Sequence, residues 1–364
     1  MTRVLFVEPF YGGSHKAFAD GFTAHSRHDI TLLALPGGEW RKRMRRGAIE
    51  LAARLRAIEG SFDLVIATDM LDLSLFLALT RPRLIDVPVL YYLHENQLTY
   101  PRLEGTKLNS WYGQLNYASA LAADAVAFNS EFHRTDFERA LRTLEGQPTN
   151  WLEPGSVDGI AAKAHVLPVG VDLSRFDTVR VERDRTPLVL WNHRWEFDKE
   201  PAMFARAVIR LSQRWDGFNV AVVGDPGDNP DDSLPRLRAV LGSRLVQFGR
   251  VDDWEEYARL LWRAKVAVST ARQEFFGISM VEAMYCETIP IAPRRLNYPA
   301  LVPVAAHQHC LFEDEGELLE LLFQALSSER DVSSFRQAAG RWDWTFVAPA
   351  WDAAIERLSD RQGL

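Results

Sequence analysis

The chain has 364 residues and a formal net charge of −7 at pH 7, with 47% hydrophobic and 25% charged residues. This length exceeds what one hydrophobic core usually serves, and the composition is that of a globular protein, which excludes a disordered or fibrous one. The negative charge argues against a protein that coats nucleic acid, although a small basic patch can still bind a short piece of backbone.

The first apolar run, residues 4–7, is too short for the core of a signal peptide, and no stretch reaches membrane-spanning length. We therefore expect a cytoplasmic protein without a membrane partner. Cys286 and Cys310 are the two cysteines of the sequence. Two cysteines provide neither a disulfide framework nor a thiolate metal site, so we expect both to be buried small hydrophobes.

The first half of the chain alternates short apolar runs with longer amphipathic stretches, which is the pattern of βαβ units. Runs this short and apolar predict buried parallel strands. The predicted strands are residues 4–7, 30–35, 64–67, 89–92 and 125–128, and predicted helices include 49–58 and 115–123.

The same rhythm restarts after a polar connector, residues 181–186, and predicts a second parallel sheet. Its strands are residues 188–191, 220–223, 245–248, 266–268 and 289–291, with helices at 203–214 and 254–264. The predicted fold class is α/β, with two Rossmann-like parallel-sheet domains facing a cleft. The predicted bounds are 1–175 and 176–345, with a C-terminal helix, 346–364, that packs back on the N-terminal domain.

The segment between Glu274 and Glu282 carries two acids separated by seven residues, across a predicted loop-to-helix junction at Gly277. The amides of the first helical turn lack partners within the helix, so a phosphate fits there. Glu282 can accept hydrogen bonds from a ribose diol and Glu274 can contact donor-sugar hydroxyls. The alternative is a helix that merely begins among acids. The donor-binding residues expected here are Glu274, Phe276, Gly277, Ile278, Ser279 and Glu282.

This stretch resembles the two-glutamate signature of retaining GT-B glycosyltransferases of the family-4 type. Two further segments resemble that family and occur in the same order. Residues 167–172 are similar to the interdomain segment usually written Pro-Asn-Gly-Val-Asp, with Val169 in place of the Asn. Residues 192–199 contain Arg194 and Lys199, which resemble the pair that neutralises the donor diphosphate. The resemblance implies a GT-B fold and a nucleotide-sugar donor.

Two cations beside a pyrophosphate stabilise the leaving nucleoside diphosphate as Mg²⁺ does in other transferases. We therefore expect no metal or other cofactor, the alternative being that Arg194 and Lys199 are ordinary surface charges. Two Asp-Asp pairs are present, and both are interpreted as loop or helix-capping residues instead of a metal motif. They are Asp231-Asp232 and Asp252-Asp253.

Polar residues follow the predicted strands of the N-terminal half, at the edge where ligands of parallel sheets bind. Gly12 and Gly13 follow the first strand and allow close approach to a donor. His94 follows the fourth strand and is expected to contact the donor sugar. A structural turn is the alternative for this segment. The expected acceptor-binding residues are Ser14, His15, Asp69, Glu95, Asn96, Gln97 and Asn129.

The amino-acid sequences of two segments, residues 8–15 and 94–97, resemble those of the tRNA-queuosine mannosyltransferases, and the likeness spans almost the whole chain. It implies GDP-mannose as donor and the cyclopentenediol of queuosine in tRNA as acceptor. It also implies an oxocarbenium-like state in which a donor phosphate oxygen helps to deprotonate the attacking hydroxyl. The residues that then carry catalysis are His94, Glu274, Arg194 and Lys199.

A basic segment follows Trp40, in which five of seven residues are cationic. One interpretation is a solvated loop or the start of a helix, because runs of charged residues usually form solvated surface. The other is a contact with an anionic substrate, which the resemblance makes tRNA. The cations are Arg41, Lys42, Arg43, Arg45 and Arg46.

Several rival functions stay open at this point. A family-4 glycosyltransferase with another donor or a small-molecule acceptor keeps the same motifs. A sugar-nucleotide epimerase of the same architecture also binds a nucleoside diphosphate sugar but needs no acceptor. A non-catalytic binding module is the third rival. The sequence leaves the oligomeric state open.

Overall fold

The computed structural model describes residues 1–101, 110–148, 150–227 and 232–360. The chain divides into two compact units. The first unit contains Met1–Val171 and the C-terminal segment that begins at Trp344, and the second unit contains Asp172–Asp343. These divisions fall within a few residues of the sequence bounds given above. Residues 361–364, the end of the expected C-terminal helix, lie outside the described residues.

The first unit is built on a six-stranded parallel sheet in the order β2-β1-β3-β4-β5-β6. All five residues of β3 are buried, as expected of a central strand that is covered on both faces. The last strand is short and mostly exposed, which is why its residues gave no apolar signal. The strands are β1 (Arg3–Tyr11), β2 (Asp29–Pro36), β3 (Leu64–Thr68), β4 (Val89–Leu93), β5 (Ala125–Phe128) and β6 (Ala164–Val166).

Six helices connect these strands. The second of them begins at Trp40, nine residues before the predicted start, so the basic segment belongs to a helix. The helices are α1 (Gly13–His25), α2 (Trp40–Leu55), α3 (Leu73–Leu84), α4 (Ser110–Ala122), α5 (Glu131–Glu145) and α6 (Ser156–Ala162).

The second unit is built on another six-stranded parallel sheet, in the order β12-β11-β10-β7-β8-β9. The five predicted strands are present, and the two-residue edge strand was not predicted. The strands are β7 (Leu188–Asn192), β8 (Asn219–Val223), β9 (Leu245–Gly249), β10 (Val266–Val268), β11 (Ile289–Pro293) and β12 (Leu311–Phe312).

The helices of the second unit cover both faces of its sheet in the usual βαβ manner. Throughout the described residues of the chain, no helix combines the length and apolar character that crossing a membrane requires. The helices are α7 (Pro201–Arg214), α8 (Ser233–Leu241), α9 (Trp254–Arg263), α10 (Ile278–Tyr285), α11 (Tyr298–Leu301), α12 (His307–Cys310), α13 (Glu315–Ser327) and α14 (Ser333–Gly340).

The last helix, α15 (Trp344–Ser359), packs against α1 within the first unit. Its Trp344 lies between two glycines, because a Cβ at Gly21 or Gly170 would come within 2.1 or 2.2 Å of the indole. Phe18 on α1 contacts the rings of Trp344 and Trp351, with centroids 5.5 and 5.4 Å away. Gly170, the glycine of the predicted interdomain segment, is therefore required by the packing of this tryptophan.

The two cysteines and the described aspartates of the Asp-Asp pairs lie in surroundings that suit structural roles. Cys286 and Cys310 are free and buried, and burial raises the pKa of both thiols, which keeps them protonated. Asp253 caps α9 by accepting two backbone N–H groups at 2.8 and 3.4 Å. Asp232 directly precedes α8, while Asp231 lies outside the described residues.

Candidate active site

Lys199 in the second unit lies at the end of a short 3₁₀ helix, Phe197–Lys199, that follows β7. Its buried Nζ donates to the backbone oxygen of Gln273 at 2.8 Å and lies 3.2 and 3.3 Å from the carboxylates of Asp198 and Glu274. Burial lowers the pKa of Lys199, but the Glu274 and Asp198 carboxylates raise it overall. The structure thus brings Lys199 and Glu274 together as an ion pair.

Arg194, the second predicted cation, is exposed in the turn after β7. Its Nη1 donates to Glu196 Oε1 at 2.8 Å. The positive charge of Arg194 is close enough to lower the pKa of Lys199, against the larger effect of the carboxylates. Because an exposed ion pair contributes little stability, the guanidinium can exchange Glu196 for an anionic ligand at small cost.

The turn between β10 and α10 depends on Gly277, whose φ is 102°. A Cβ at this position would lie 2.8 Å from Leu301 Cδ1, so glycine is required by both backbone conformation and space. The helix begins at Ile278, and no side chain in the described part of the chain caps it. The amides of Ile278 and Ser279 are therefore placed to bind a phosphate oxygen. The side chain of Phe276 is buried.

Glu282 lies one turn inside α10, as its spacing from Gly277 predicts. The hydroxyl of Tyr257, on α9, donates to Glu282 Oε2 at 2.7 Å and accepts from Asn192 Nδ2 at 3.1 Å. Burial raises the pKa of Glu282, while the hydrogen bond from Tyr257 and the charge of Arg175 lower it. The carboxylate is thus oriented by a neighbouring helix.

His193 lies beside the same helix terminus, with its Nδ1 3.5 Å from Ser279 Oγ. Burial, together with the positive charge of Lys199, lowers the pKa of His193 to about 3. A neutral imidazole therefore lies beside the first turn of α10.

The first unit places polar side chains at the carboxyl ends of β1, β3, β4 and β5, which are neighbours in the sheet. Asp69 Oδ1 accepts the backbone N–H of His94 at 2.8 Å, and Asn129 Nδ2 donates to the backbone oxygen of His94 at 2.8 Å. Burial raises the pKa of Asp69 to about 8, although the charge of His15 opposes the shift. Three predicted residues, Asp69, His94 and Asn129, therefore form one hydrogen-bonded group.

Glu8 is fully buried beside this group. Its Oε1 accepts the backbone N–H of Phe10 at 2.8 Å, and its Oε2 lies 3.3 Å from His15 Nδ1 and 4.0 Å from His94 Nε2. Burial lowers the pKa of His15, but the Glu8 carboxylate raises it to about 9. Burial and the charge of His15 lower the pKa of His94 well below its usual value. The cluster thus favours the charged form of His15 and the neutral form of His94.

Glu8, His15 and His94 also form the one group of three metal-ligating side chains, within the described residues, whose ligand atoms all lie within 4.8 Å of one another. Two imidazoles and a carboxylate are a donor set that Zn²⁺ and Fe²⁺ accept. The 3.3 Å separation of Glu8 and His15 is close to hydrogen-bonding distance, so a proton between them also satisfies the charges.

Three further predicted acceptor residues lie in the turn after His94 and differ in how deeply they are buried. Asn96 is fully buried, and its Oδ1 accepts two of the backbone amides that follow it, each at 3.0 Å. Gln97 donates from its backbone to Asn116 Oδ1 at 2.9 Å and from Nε2 to Glu95 Oε1 at 3.0 Å. Asn96 therefore shapes the turn from inside, while Glu95 and Gln97 are partly exposed.

The predicted glycines and serine after β1 form the start of α1. Gly12 lies against Gly37, since a Cβ on Gly12 would lie 3.0 Å from the Cα of Gly37. Gly13 is the first helical residue, and Ser14 is exposed in the first turn. No side chain in the described ranges caps this helix.

The basic segment forms the first two turns of α2. Arg43 Nη1 lies 3.7 Å from Glu50 Oε2, and the Arg45 guanidinium lies 5.9 and 5.7 Å from the ring centroids of Trp111 and Tyr112. Cations in the first turn of a helix oppose the helix dipole, so an anionic ligand would relieve this repulsion. The exposed members are Arg41, Lys42, Arg45 and Arg46.

Three residues of these groups were not predicted as site residues from the sequence, namely Glu8, Tyr257 and Asn192. An acid directly after four apolar residues of a buried strand was a usable signal for Glu8. Tyr257 gave none, because only the packing of α9 against α10 brings it to Glu282. Asn192 ends β7 and was quoted only as the start of the Arg194 motif.

Solved structures share this fold over nearly the whole chain. Sucrose-phosphate synthase from Thermosynechococcus elongatus matches with a TM-score of 0.71 and 15% identity, over 98% of this chain and 99% of that chain. HepE from Anabaena, solved in complex with UDP and glucose, matches with a TM-score of 0.68 and 17% identity, over 98% and 100%. At these identities the likeness shows the fold alone, and that fold is GT-B.

The C-terminal half matches a family described as glycosyl transferases group 1, over residues 186–328. This range contains β7, the Gly277 turn and Glu282. The chain is therefore a glycosyltransferase, and the epimerase and binding-module alternatives are set aside.

The N-terminal half matches the family described as tRNA-queuosine alpha-mannosyltransferase N-terminal, over residues 3–171. The tRNA-queuosine alpha-mannosyltransferase of Drosophila melanogaster is 33% identical over 311 residues, which are 83% of this chain and 82% of the relative. The chain belongs to the tRNA-queuosine alpha-mannosyltransferase family, and the predicted resemblance is confirmed.

Proposed function

We propose that this chain transfers mannose from GDP-mannose to the cyclopentenediol of queuosine in tRNA, with retention of the anomeric configuration. The observation that carries the proposal is the 33% identity to a tRNA-queuosine alpha-mannosyltransferase over 83% of the chain. The similarity extends over most of the chain instead of the nucleotide-binding half alone, which favours a shared acceptor as well as a shared donor type.

The second unit holds the donor in this proposal. The amides of Ile278 and Ser279 bind the diphosphate at the start of α10, where the helix dipole favours negative charge. Glu282, oriented by Tyr257, accepts hydrogen bonds from the ribose diol. Glu274 contacts the mannose hydroxyls.

No metal ion is required in this scheme, because Lys199 and Arg194 supply the positive charge for the leaving GDP. Lys199 is fixed by three contacts at 2.8 to 3.3 Å, so its charge is preorganised before the donor arrives. Arg194 is exposed and supplies a second cation.

The chemical step follows from this charge distribution. As the bond between mannose and phosphate breaks, positive charge develops on the sugar ring and negative charge on GDP. A phosphate oxygen of the leaving GDP takes the proton of the attacking queuosine hydroxyl, on the face that GDP leaves. Glu274 holds the mannose, and catalysis consists of positioning and leaving-group stabilisation.

The first unit holds the acceptor in this proposal. Partly exposed Glu95 and Gln97 contact the cyclopentenediol, while Asp69 and Asn129 hold the His94 backbone and Asn96 holds the turn. Ser14 and His15 complete the acceptor side, and Gly12 and Gly13 allow the donor close approach.

The exposed cations of α2 bind tRNA phosphates, and the reaction takes place in the cytoplasm. Arg45, which lies over Trp111 and Tyr112, presents both charge and aromatic surface to the nucleic acid. An otherwise acidic chain with this local basic helix binds tRNA at one place and does not coat it.

The experiment is GDP release from GDP-mannose, measured with tRNA from queuosine-containing cells and from queuosine-deficient cells, in EDTA and in Mg²⁺. We expect release that requires queuosine and is equal in EDTA and Mg²⁺. Release with UDP-glucose but not GDP-mannose, or equal release with both tRNA pools, would favour another donor or a small-molecule acceptor. Loss of release in EDTA would contradict metal independence.

A further inference from the structure

The loops that follow the neighbouring strands β10 and β11 are bonded to each other in the second unit. The loop after β10 carries Glu274 and Gly277, and the loop after β11, residues 294–297, leads into α11. Asn297 is 3% exposed, and its Nδ2 donates to the backbone oxygen of Phe276 at 2.7 Å. The loop after β11 is therefore bonded to the peptide that joins Phe276 to Gly277.

Asn297 occupies a position at which an asparagine side chain usually has another role. It is the N-cap residue of α11, where asparagine is favoured because its side-chain oxygen accepts an amide of the first turn. Within the described residues, the side chain of Asn297 makes no such bond, and its backbone oxygen alone accepts from Ala300 N, at 3.0 Å. The side chain is used for the Phe276 carbonyl instead.

The residues on either side of Asn297 hold its loop in place. Leu296 has a φ of 61°, a left-handed conformation that a bulky residue adopts only where surrounding contacts offset its cost. Tyr298 is fully buried, and its hydroxyl lies 2.6 Å from Ser269 Oγ, directly after β10. The loop after β11 and the start of α11 are thus fixed to the loop after β10 at two points.

The direction of the Phe276 carbonyl determines the direction of the next amide, because the N–H of a trans peptide points opposite to its C=O. With the Phe276 oxygen turned toward Asn297, the Gly277 N–H points away from the loop after β11. Gly277 is buried, and in the part of the chain that the structure describes its N–H donates no backbone hydrogen bond. A buried N–H requires an acceptor, which leaves this amide for a ligand.

We propose that Asn297 is a positioning residue that turns the Gly277 N–H toward the donor phosphate joined to mannose. Gly277 lies in the chain between Glu274, which contacts the mannose, and the Ile278 and Ser279 amides, which bind the diphosphate. Its amide is a third N–H donor, on the side of the diphosphate nearest the sugar. Preorganised N–H groups stabilise the charge that develops on the leaving GDP. The identity of this donor rests on the proposed function.

Asn297→Asp tests the proposal, because it keeps the size of the side chain and replaces the donating Nδ2 by an oxygen. Aspartate also suits the N-cap of α11, so the variant is expected to fold. We expect the Kd of GDP to rise at least about tenfold, as for loss of a hydrogen bond to a charged group. The Kd of GMP, which lacks the phosphate nearest the sugar, is expected to change less than about twofold. Calorimetry measures both constants.

Thr288→Val is the matched control. Thr288 is buried directly before β11, and its Oγ1 donates to the backbone oxygen of Leu261 at 2.9 Å. The control loses a buried bond of the same kind, so it lowers the melting temperature and leaves both constants unchanged. An unchanged Kd of GDP in Asn297→Asp, or equal weakening of GDP and GMP, overturns the positioning role. A wild type that binds UDP but not GDP contradicts the proposed donor instead, and UDP with UMP then tests Asn297.

A second measurement needs no variant at position 297. The sequence has two Phe-Gly pairs, at 248–249 and 276–277, so labelling phenylalanine carbonyls and glycine nitrogens gives two NMR signals, of which Phe248→Tyr removes the other one. We expect saturating GDP to slow hydrogen exchange of the Gly277 amide at least about tenfold, and GMP to leave it unchanged. Exchange that GDP does not slow in the wild type overturns the proposal.

Discussion

The hydroxyl of Tyr257 lies 2.7 Å from Glu282 Oε2, joining α9 to the first turns of α10. The same hydroxyl accepts a hydrogen bond from Asn192 at the end of β7. Three elements of the second unit therefore meet at the carboxylate expected to bind the ribose, and its orientation is set before the nucleotide binds.

Tyr257→Phe removes this hydrogen bond while keeping the ring in place. A hydrogen bond to a charged group contributes about 1.5 to 3 kcal/mol net, so we expect GDP affinity to fall about tenfold, and at least as much in Glu282→Ala. The Tyr257 hydroxyl lowers the pKa of Glu282, so its removal raises that pKa and GDP binding is lost at a higher pH as the solution is acidified. Calorimetry from pH 5 to 8 checks both effects. Unchanged affinity and pH dependence would remove Tyr257 from the nucleotide site.

Glu274→Gln and Lys199→Met separate catalysis from folding. In Glu274→Gln the new amide oxygen can still accept a hydrogen bond from Lys199, which also keeps Asp198 and the backbone oxygen of Gln273. We therefore expect normal thermal stability, with transfer lowered at least a hundredfold. Lys199→Met leaves buried Asp198 without its cation and costs about 3 to 5 kcal/mol of stability as well as activity. Melting curves and initial rates test the pair. Full activity of Glu274→Gln would show that Glu274 does not contact the donor.

Asp69→Asn is expected to stabilise the protein while reducing its activity. Burial raises the pKa of Asp69 to about 8, above its unfolded value of about 3.9, so the wild type loses stability as pH rises through this interval. Asparagine keeps an oxygen for the backbone N–H of His94 without this cost. The Tm difference between variant and wild type should grow from pH 4 to pH 8 and then level off. Equal melting temperatures at pH 8 would contradict the raised pKa of Asp69.

The exposed cations of α2 are expected to determine tRNA affinity. Replacing Arg41, Arg45 and Arg46 with Ala should raise the tRNA KM and flatten its salt dependence by about one log unit per lost phosphate contact. Arg43 is left in place because it pairs with Glu50. Replacing Arg210 and Arg214, exposed cations of the second unit, provides the control. If the tRNA KM depends on salt equally in the triple variant and in the control variant, the start of α2 is solvated surface.

The strands were predictable because buried parallel strands are short apolar runs, and all ten predicted strands are present. Residues 164–166 and 311–312 were missed because edge strands this short carry little apolar pattern. The start of α2 was missed because its first turns are cationic, which obscures the amphipathic period.

The site was predictable where function depends on residues close in sequence. Gly277 directly precedes α10 and Glu282 lies within that helix, so their spacing in the sequence was enough to predict their relative positions. Glu8 lies in β1, His15 in α1 and His94 in the turn after β4, and only the folded first unit brings the three together. The ion pair of Lys199 with Glu274 likewise joins residues 75 positions apart.

The central claim is tested most directly by mass spectrometry of nucleosides from tRNA incubated with GDP-mannose and the purified protein. The account predicts that queuosine disappears and a species heavier by one hexose appears, from queuosine-containing tRNA only. Glu274→Gln serves as the inactive control for this conversion. Queuosine left unchanged while the wild type releases GDP and transfers mannose to another acceptor would contradict the account.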